Sequence, residues 1–129
     1  MGTLRCLPWC YTAPMAALRW DDLPLEVMNP RVSRRVWHGE LTTTAQVILS
    51  QGAVVPRHHH PHEQTTTLVS GMLVFRMGDE EITLLPGDML RIAPHIPHEV
   101  TAVETSVAID VFAPARDDWQ RGDDAYLRG

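Results

Sequence analysis

The chain has 129 residues, of which 44% are hydrophobic and 21% charged, and its 11 basic and 16 acidic residues give a formal net charge of −5. This length and composition suit one soluble domain with a single hydrophobic core. The acidic balance argues against a nucleic-acid-binding surface, and no apolar run approaches the roughly 20 residues that a membrane helix needs. Pro8 and Trp9 interrupt the N-terminus where a signal peptide would be apolar, so we expect a cytoplasmic protein.

The first 30 residues are expected to form an N-terminal arm ahead of one domain that spans residues 31–129. Within the arm, the segment 16–30 carries apolar side chains between prolines, which forbid a long helix. We therefore expect this segment to lay its apolar side chains either on the domain itself or on a partner subunit. The apolar side chains concerned are Trp20, Leu23, Leu25 and Val27.

Cys6 and Cys10 are the two cysteines of the chain, and they stand in a CxxxC spacing. A metal or redox motif would need a CxxC spacing or further cysteines, so two thiols in a loose tail are expected. Met15 could be the natural start, which would make residues 1–14 an extension of the protein.

From Arg31 onward, short stretches rich in β-branched residues alternate with turns that contain glycine or proline. No stretch shows a sustained helical period. This pattern favours an all-β sandwich or barrel. The predicted strands lie within 31–40, 41–50, 54–60, 64–71, 72–77, 80–85, 89–100 and 106–112.

Two local patterns predict turns or helix between and after these strands. Ser70-Gly71 suits a tight hairpin between two of the strands. The segment 116–127 is predicted to hold a short helix or turn, with Asp117 or Asp118 as its N-cap.

Potential metal ligands cluster in two stretches of the chain. Strand side chains alternate between faces, so His58 and His60 are predicted to point the same way, with His59 facing away. Gln64 faces the same side if the strand continues in phase, and His98 would arrive from a separate strand. Imidazoles with an amide oxygen suit one divalent transition metal ion such as Zn, Ni, Fe, Mn or Co.

The other histidines have alternative interpretations. His38 precedes a turn glycine and is expected to be an exposed or half-buried loop residue. His62 shares the parity of the ligand pair but follows a proline, so contact with the ligands or the substrate is favoured over metal binding. His95 is expected near the site but outside it. The HHHPH run could also be a solvent-exposed patch, although it is embedded between strands.

At these residues the sequence resembles the cupin superfamily. The first cupin motif is Gly, five residues, His-x-His, three or four residues, Glu, six residues, Gly, and the second is Gly, five residues, Pro-x-Gly, two residues, His, three residues, Asn. The first motif is matched in every spacing by Gly52, His58, His60, Gln64 in place of Glu, and Gly71. The second is matched by Gly87 and His98, while Ala93, His95 and Ala102 replace its other members. The resemblance implies a double-stranded β-helix, or jelly-roll barrel, with a metal in its mouth, and often a homodimer.

A narrower resemblance covers most of residues 19–129, where the HPHEQ run and the tail DVFAPARDDW look like the pectin-degradation cupins of the KdgF type. Those are uronate ketonases, which convert ring-closed 4,5-unsaturated monouronates from pectin or alginate breakdown into linear keto forms. The resemblance implies metal ligands at His58, His60, Gln64 and His98. It also implies a functional Asp-x-Phe-x-x-x-Arg motif at Asp110, Phe112 and Arg116.

The residue types constrain the chemistry of such a site. Neutral ligands leave the charge of a divalent ion uncompensated, which favours an anionic ligand. Arg116 could offer a bidentate fork to a carboxylate. Asp110 lies in an apolar stretch, so it is interpreted as an acid/base or as a partner of an arginine, the alternative being a strand-end residue that faces water. Phe112 could shape the pocket or simply pack in the core.

Two further groups have interpretations that compete. Three arginines precede or begin the first predicted strand, and they are Arg31, Arg34 and Arg35. They could contact substrate, but a solvated charged face is the commoner outcome. The tryptophans are interpreted as core or dimer contacts rather than a sugar platform; they are Trp20, Trp37 and Trp119.

Three functions are consistent with this sequence. The favoured one is a metal-dependent isomerase or lyase that acts on a small carboxylated sugar, with a small anionic molecule as its partner and neither nucleic acid nor membrane. The alternatives are an Fe(II)-dependent dioxygenase on the same barrel and a non-catalytic ligand-binding cupin.

Overall fold

The computed structural model describes residues 17–128, and the expectations for Cys6, Cys10 and residues 1–14 lie outside them. In this range the strands are β1 (Glu26–Asn29), β2 (Val32–His38), β3 (Thr43–Leu49), β4 (Val54–His58), β5 (Glu63–Met77), β6 (Glu80–Leu84), β7 (Met89–Ile92) and β8 (His98–Ala113). The helical segments are a 3-10 turn (Trp20–Asp22), α1 (Asp117–Gln120) and α2 (Ala125–Arg128). None of these described helices has the length and apolar character that crossing a membrane requires.

Two long antiparallel strands, β5 and β8, form the centre of the fold, and each half of this ribbon carries a different sheet. The first half of β5 pairs with the second half of β8, and the second half of β5 pairs with the first half of β8. One sheet continues through β3, β2 and β1 on one side and β7 on the other. The other sheet adds β4 and β6. This antiparallel arrangement confirms the predicted all-β jelly-roll barrel.

The predicted hairpin at Ser70-Gly71 is wrong, because β5 runs through these residues without turning. The pairing of β5 with β8 shifts register on either side of Ser70, as it does at a β-bulge. Gly71 has a φ of +95°, and a Cβ built on it would collide with Ser106 Oγ and the Thr105 carbonyl oxygen. Glycine is therefore required at the point where the ribbon bends from one sheet to the other.

The strand boundaries near the second histidine stretch also differ from the prediction. The predicted strand 89–100 is interrupted at 93–97, where Pro94 and Pro97 remove two backbone donors from the ladder. Strand β8 instead continues through residues 101–105, which the sequence pattern left between two strands.

Strand β2 carries two polar side chains into the barrel. Its side chains alternate between the two faces, and Val32, Arg34, Val36 and His38 are buried. Arg34, predicted on a solvated face, is 4% exposed, and His38, predicted in a loop, ends the strand with Nδ1 3.2 Å from Thr43 Oγ1. Both predictions are wrong because the alternation that starts at Val32 turns every second residue inward.

Residues ahead of position 31 pack on the domain itself. Strand β1 pairs with β2, Met28 joins the hydrophobic core, and Leu23 is buried as well. Leu25 and Val27 are exposed. The sheet therefore begins at Glu26, inside the segment that was expected to be an arm.

The C-terminal region holds two short helices, α1 and α2. The N-cap of α1 is Arg116, which makes no side-chain capping bond, so the predicted N-cap at Asp117 or Asp118 is wrong. Asp118 lies within the first turn of the helix, where its Oδ1 accepts the backbone N–H of Trp119.

The close approach at Gly71 makes a testable prediction. Replacement of Gly71 by alanine should lower the free energy of unfolding by about 2 to 5 kcal/mol, since the left-handed backbone strain adds to the collision with Ser106. Gly78 is the matched control, because its φ is +59° and a Cβ there meets nothing within 4 Å. Gly78→Ala should cost only about 1 to 2 kcal/mol. Urea unfolding of both variants measures the difference, and equal losses would contradict the bend at Gly71.

Candidate metal centre and its cavity

Three histidines that were predicted to bind metal meet inside the barrel. His58 ends β4, His98 begins β8, and these two residues are register partners across the strands. His60 follows in the connection from β4 to β5. One ligand atom from each ring lies within 4.8 Å of the others, so His58, His60 and His98 could hold a metal ion.

The prediction that His58 and His60 share one strand is wrong, because β4 ends at His58 and β5 begins at Glu63. The connection nevertheless brings both imidazoles to the same place, while His59 is exposed. The carbonyl oxygen of His60 accepts the backbone N–H of His95 at 2.8 Å, which ties this connection to the loop before β8. His95 itself is exposed, with a φ of 69°, and is not one of the three clustered rings.

The three imidazoles present the same nitrogen to the cavity. The Nδ1 atoms of His58, His60 and His98 each lie within hydrogen-bond distance of a backbone carbonyl oxygen. A carbonyl can only accept, so each Nδ1 carries the proton and each Nε2 keeps its lone pair. The carbonyls belong to Pro56 at 2.8 Å, His62 at 3.1 Å and Ile96 at 2.8 Å, respectively.

Burial keeps the three rings neutral. It lowers the pKa of His58 to about 4 and, assisted by the positive charge of Arg116, lowers the pKa of His60 to about 3. Burial also lowers the pKa of His98. At neutral pH the rings are therefore uncharged, which is the form of histidine that binds metal ions.

Gln64 is oriented by a chain of hydrogen bonds that leads back to Asp110. The Thr66 hydroxyl donates its one proton to Asp110 Oδ1 at 2.6 Å, so it accepts from Gln64 Nε2 at 2.9 Å. This fixes the amide with Gln64 Oε1 facing His60 Nε2 at 3.1 Å. Both facing atoms carry lone pairs when His60 is protonated on Nδ1, an arrangement that a cation beside them would stabilise.

The donor set fits a divalent transition metal ion. His98 Nε2 is buried and has no hydrogen-bond partner among the described residues. An unsatisfied buried acceptor is costly, and an ion at this place would satisfy it. Imidazole nitrogens with an amide oxygen suit Zn, Ni, Fe, Mn or Co alike.

Asp110 does not face water at a strand end. It lies in the middle of the β3–β8 and β5–β8 pairings, opposite Thr66, and its half-buried side chain lines the cavity. Burial raises its pKa to about 6, although the Thr66 hydrogen bond and the charge of Arg116 act in the opposite direction. The carboxyl group can therefore exist in either protonation state near neutral pH.

The fork of Arg116 is already occupied, contrary to the predicted bidentate grip on a ligand. Its Nε and Nη2 donate to the two carboxylate oxygens of Asp118 at 3.0 and 2.8 Å. Nη2 also donates to the Tyr126 hydroxyl at 3.1 Å, and the guanidinium lies 4.6 Å from the Phe112 ring centroid. Only Nη1 of this side chain, which is 1% exposed, lacks a partner among the described residues.

Phe112 and His62 both support the ring of His60. Phe112 is 2% exposed, lines the cavity and meets the His60 ring edge-on at 5.8 Å, so it belongs to both the pocket and the core. His62 is buried and accepts the His60 Nδ1–H through its backbone carbonyl. Its own ring lies outside the cluster of three.

A buried ion pair fastens the C-terminal segment to the barrel. Arg34 Nη2 donates to Asp124 Oδ2 at 2.6 Å, and these residues are 4% and 1% exposed. Arg34 also donates to Glu26 at 2.6 Å, and its guanidinium lies 4.2 Å from the centroid of the Trp119 ring. Arg128 donates to the same Asp124 carboxylate. This pair holds Trp119 and the helix α2 against the cavity.

Several site residues are not singled out by the sequence pattern. Thr66 could have been found, since it follows Gln64 by two positions on a strand and must share its face. Asp118, Asp124 and Tyr126 follow the last strand, where no periodic pattern assigns side chains to a face.

The cavity beside the clustered imidazoles has a volume of about 60 Å³, and its lining includes His58, Gln64, His98, Asp110, Arg116 and Tyr126. This volume is sufficient for an ion and a small group such as a carboxylate.

A family model matches the sequence, and several solved structures share the architecture. Residues 45–112 match the family model of the cupin domain. KdgF from Halomonas sp. is similar, with a TM-score of 0.72 and 30% identity over 77% of this chain and 94% of that chain. An RmlC-like cupin from Shewanella frigidimarina has a TM-score of 0.72 and 23% identity over 77% of this chain and 90% of that one.

A more distant similarity is to Bacillus subtilis oxalate decarboxylase, a protein with Mn(II) centres, with a TM-score of 0.70 and 17% identity over 77% of this chain and 29% of that one. Because the identities with this protein and with the Shewanella cupin are only 17% and 23%, these two similarities show the fold alone. No curated protein matches the sequence.

The convergence of three Nε2 atoms predicts which histidines metal binding needs. His58→Ala, His60→Ala and His98→Ala should each lower the affinity for Zn²⁺ by on the order of 100-fold or more, since even residues that only support ligands contribute about 10- to 100-fold. His59→Ala is the matched control, because that side chain is exposed and outside the cluster. Competition with a chromogenic chelator measures these affinities. Wild-type affinity in His60→Ala would contradict the assignment.

The Arg34–Asp124 pair predicts a loss of stability that depends on pH. Asp124→Asn leaves the buried Arg34 charge without its partner and should lower the free energy of unfolding by about 3 kcal/mol at pH 6. Burial alone would raise the pKa of Asp124, but hydrogen bonds from Arg128 and Arg34 hold it below its ordinary value. The contribution is therefore complete above the unfolded pKa of about 4 and is lost as the pH falls through the lower folded pKa.

The difference in unfolding free energy between wild type and Asp124→Asn should thus shrink below about pH 4. Denaturant titrations at several pH values measure it. The exposed neighbour Asp123 provides the control, since Asp123→Asn should behave as wild type. A difference between wild type and Asp124→Asn that stays constant down to pH 2 would contradict the ion pair.

Proposed function

The chain belongs to the cupin family, and we propose that within it the protein is a metal-dependent enzyme that ketonises 4,5-unsaturated monouronates. One observation carries this proposal. A neutral set of three imidazoles and one amide oxygen lies in the barrel, and His58, Gln64 and His98 of this set line the same cavity as Asp110. Burial raises the pKa of this carboxyl group to about 6. The 30% identity with KdgF from Halomonas sp. over most of both chains supports it further.

His58, His60, His98 and Gln64 would hold one divalent ion, which supplies Lewis-acid polarisation of the carboxylate and enol oxygens of the substrate. Because every one of these ligands is neutral, the centre keeps its full positive charge and attracts an anionic substrate. The buried Arg116 lines the same cavity, with Asp118 compensating its charge and Nη1 left as a donor. A small carboxylated sugar is therefore the expected substrate class.

The size of the cavity is consistent with a substrate that enters carboxylate first. Its volume of about 60 Å³ is sufficient for the carboxylate group. In a 4,5-unsaturated uronate the double bond begins at the carbon that bears the carboxylate. Binding of the carboxylate in the cavity would therefore bring the reacting carbons near Asp110, which lines the same cavity.

The reaction is an isomerisation that needs no oxidant. The bond between the ring oxygen and the anomeric carbon breaks, the anomeric hydroxyl loses its proton and becomes an aldehyde, and the former ring oxygen becomes an enol. A proton then adds to the far carbon of the double bond, and the enol loses its own proton to become the ketone. The net result moves one proton from oxygen to carbon.

Asp110 is the proposed proton shuttle. A carboxyl group whose pKa is about 6 can both accept and release a proton near neutral pH. Thr66 holds Asp110 Oδ1 through a hydrogen bond at 2.6 Å, and Oδ2 is the oxygen proposed to exchange the proton with the substrate. Phe112 packs beside His60 and excludes water from this side of the cavity.

The proposal includes a homodimer, because the family that the sequence resembles often forms one.

The test incubates the metal-loaded protein with unsaturated galacturonate and monitors the loss of ultraviolet absorbance from the ring double bond. Asp110→Asn should lower kcat by about 100- to 10,000-fold while metal is retained, since that is the usual contribution of a general acid or base. The exposed turn residue Asp79 provides the control, and Asp79→Asn should keep wild-type activity. The carboxylate form predominates above the raised pKa, so kcat/KM should rise with pH through about 6.

A wild-type rate equal to the spontaneous rate would contradict ketonisation. Oxygen consumption by the iron-loaded protein would instead indicate a dioxygenase. Binding of substrate without turnover would indicate a ligand-binding cupin.

A further inference from the structure

Tyr126 in α2 lies directly against the candidate metal centre. Its ring stacks on the His58 imidazole with centroids 4.3 Å apart and planes inclined by 22°. The side chain is half-buried and lines the same cavity as His58 and Arg116. Neither the sequence pattern nor the family resemblance assigns a role to this residue.

The hydrogen bonds of the Tyr126 hydroxyl leave its proton free. The oxygen accepts from Arg116 Nη2 at 3.1 Å and from Trp119 Nε1 at 3.2 Å. Guanidinium and indole nitrogens can only donate, and a phenol oxygen has two lone pairs and one proton. Both lone pairs are thus in use, and no described residue accepts the O–H. The phenol, whose ordinary pKa is about 10, keeps that proton at neutral pH.

Arg116 offers a second donor that no described residue accepts. Arg116 Nη1 is buried without a partner among the described residues, and the side chain is 1% exposed. Asp118 already takes Nε and Nη2, so Arg116 alone cannot grip a ligand carboxylate with two parallel bonds. Tyr126 can supply the second bond, since its oxygen lies within 3.1 Å of the same guanidinium group.

We propose that Tyr126 is a further ligand-binding residue, whose O–H and Arg116 Nη1 together form a two-donor subsite for one carboxylate group. Two adjacent donors without acceptors cost stability in the free protein, and a carboxylate supplies both acceptors at once. The volume of about 60 Å³ matches such a group. The subsite recognises any small carboxylate, and it rests on the proposed function only for the identity of the natural ligand.

The first test measures binding of galacturonate, a saturated uronate, to the zinc-loaded full chain by calorimetry. Tyr126→Phe removes the O–H and should weaken galacturonate binding by about 10- to 100-fold, the range for one hydrogen bond to a charged group. Galactose, which lacks the carboxylate, is the matched control ligand, and its weak binding should not change. Zinc affinity should stay within about threefold, because phenylalanine keeps the aromatic ring that stacks on His58 and the O–H that it lacks does not contact the three imidazoles.

A double-mutant cycle separates a direct contact from an effect through Arg116. In an Arg116→Gln background, Tyr126→Phe should still weaken galacturonate binding if the phenol contacts the carboxylate. No further loss in that background would reduce Tyr126 to a positioning residue for Arg116 and overturn the proposal. Equal galacturonate affinity of wild type and Tyr126→Phe, or no galacturonate binding by the wild type, would also overturn it.

A crystal structure of the wild-type protein with zinc and galacturonate provides a test that needs no variant to fold. The Tyr126 hydroxyl should lie within about 3.2 Å of a carboxylate oxygen. A carboxylate bound away from Tyr126 would overturn the subsite. The proposed function and the subsite can fail separately. A wild type that binds galacturonate through Tyr126 but does not ketonise unsaturated galacturonate would contradict the function alone. An active wild type that binds galacturonate away from Tyr126 would contradict the subsite alone.

Discussion

The candidate metal centre depends on the direction of three imidazole lone pairs. Each Nδ1 of His58, His60 and His98 donates to a backbone carbonyl, so each Nε2 presents a lone pair to one small buried volume. Burial keeps these rings neutral, and Gln64 Oε1 adds a further lone pair at 3.1 Å from His60 Nε2. Converging acceptors without a donor are unfavourable together, and a cation resolves the conflict. The barrel brings the residues together because β4 and β8 are paired where His58 meets His98.

Around this centre, two arginines connect the barrel to the C-terminal segment. Arg34 reaches Asp124 from β2, and Arg116 reaches Asp118 and Tyr126. Both guanidinium groups lie over the Trp119 ring, at 4.2 and 4.4 Å from its centroid. Each acidic partner compensates a positive charge that would otherwise be buried alone, at a cost of several kcal/mol. The segment after the last strand is therefore part of the wall of the site, and it contributes donors as well as packing.

The sequence predicted the architecture and the three clustered histidines because both depend on spacing. Alternation and turn residues indicated the all-β barrel, and the His-x-His motif with His98 indicated the cluster. Spacing could not show that β5 passes through Gly71 without turning, since a bulge and a hairpin use the same residue type. Alternation from Val32 places Arg34 on the inward face, but spacing could not show that Asp124, 90 positions away, compensates its buried charge. The hydrogen bonds of Arg116 and Tyr126 likewise depend on tertiary packing.

We propose that four neutral side chains surround one divalent ion, which a crystal structure of the zinc-loaded protein with anomalous scattering at the zinc edge would show. A single zinc peak should lie about 2.0 to 2.2 Å from the Nε2 atoms of His58, His60 and His98 and from Gln64 Oε1. Zinc that binds only elsewhere, with no zinc peak beside the three imidazoles at saturating metal, would contradict this site.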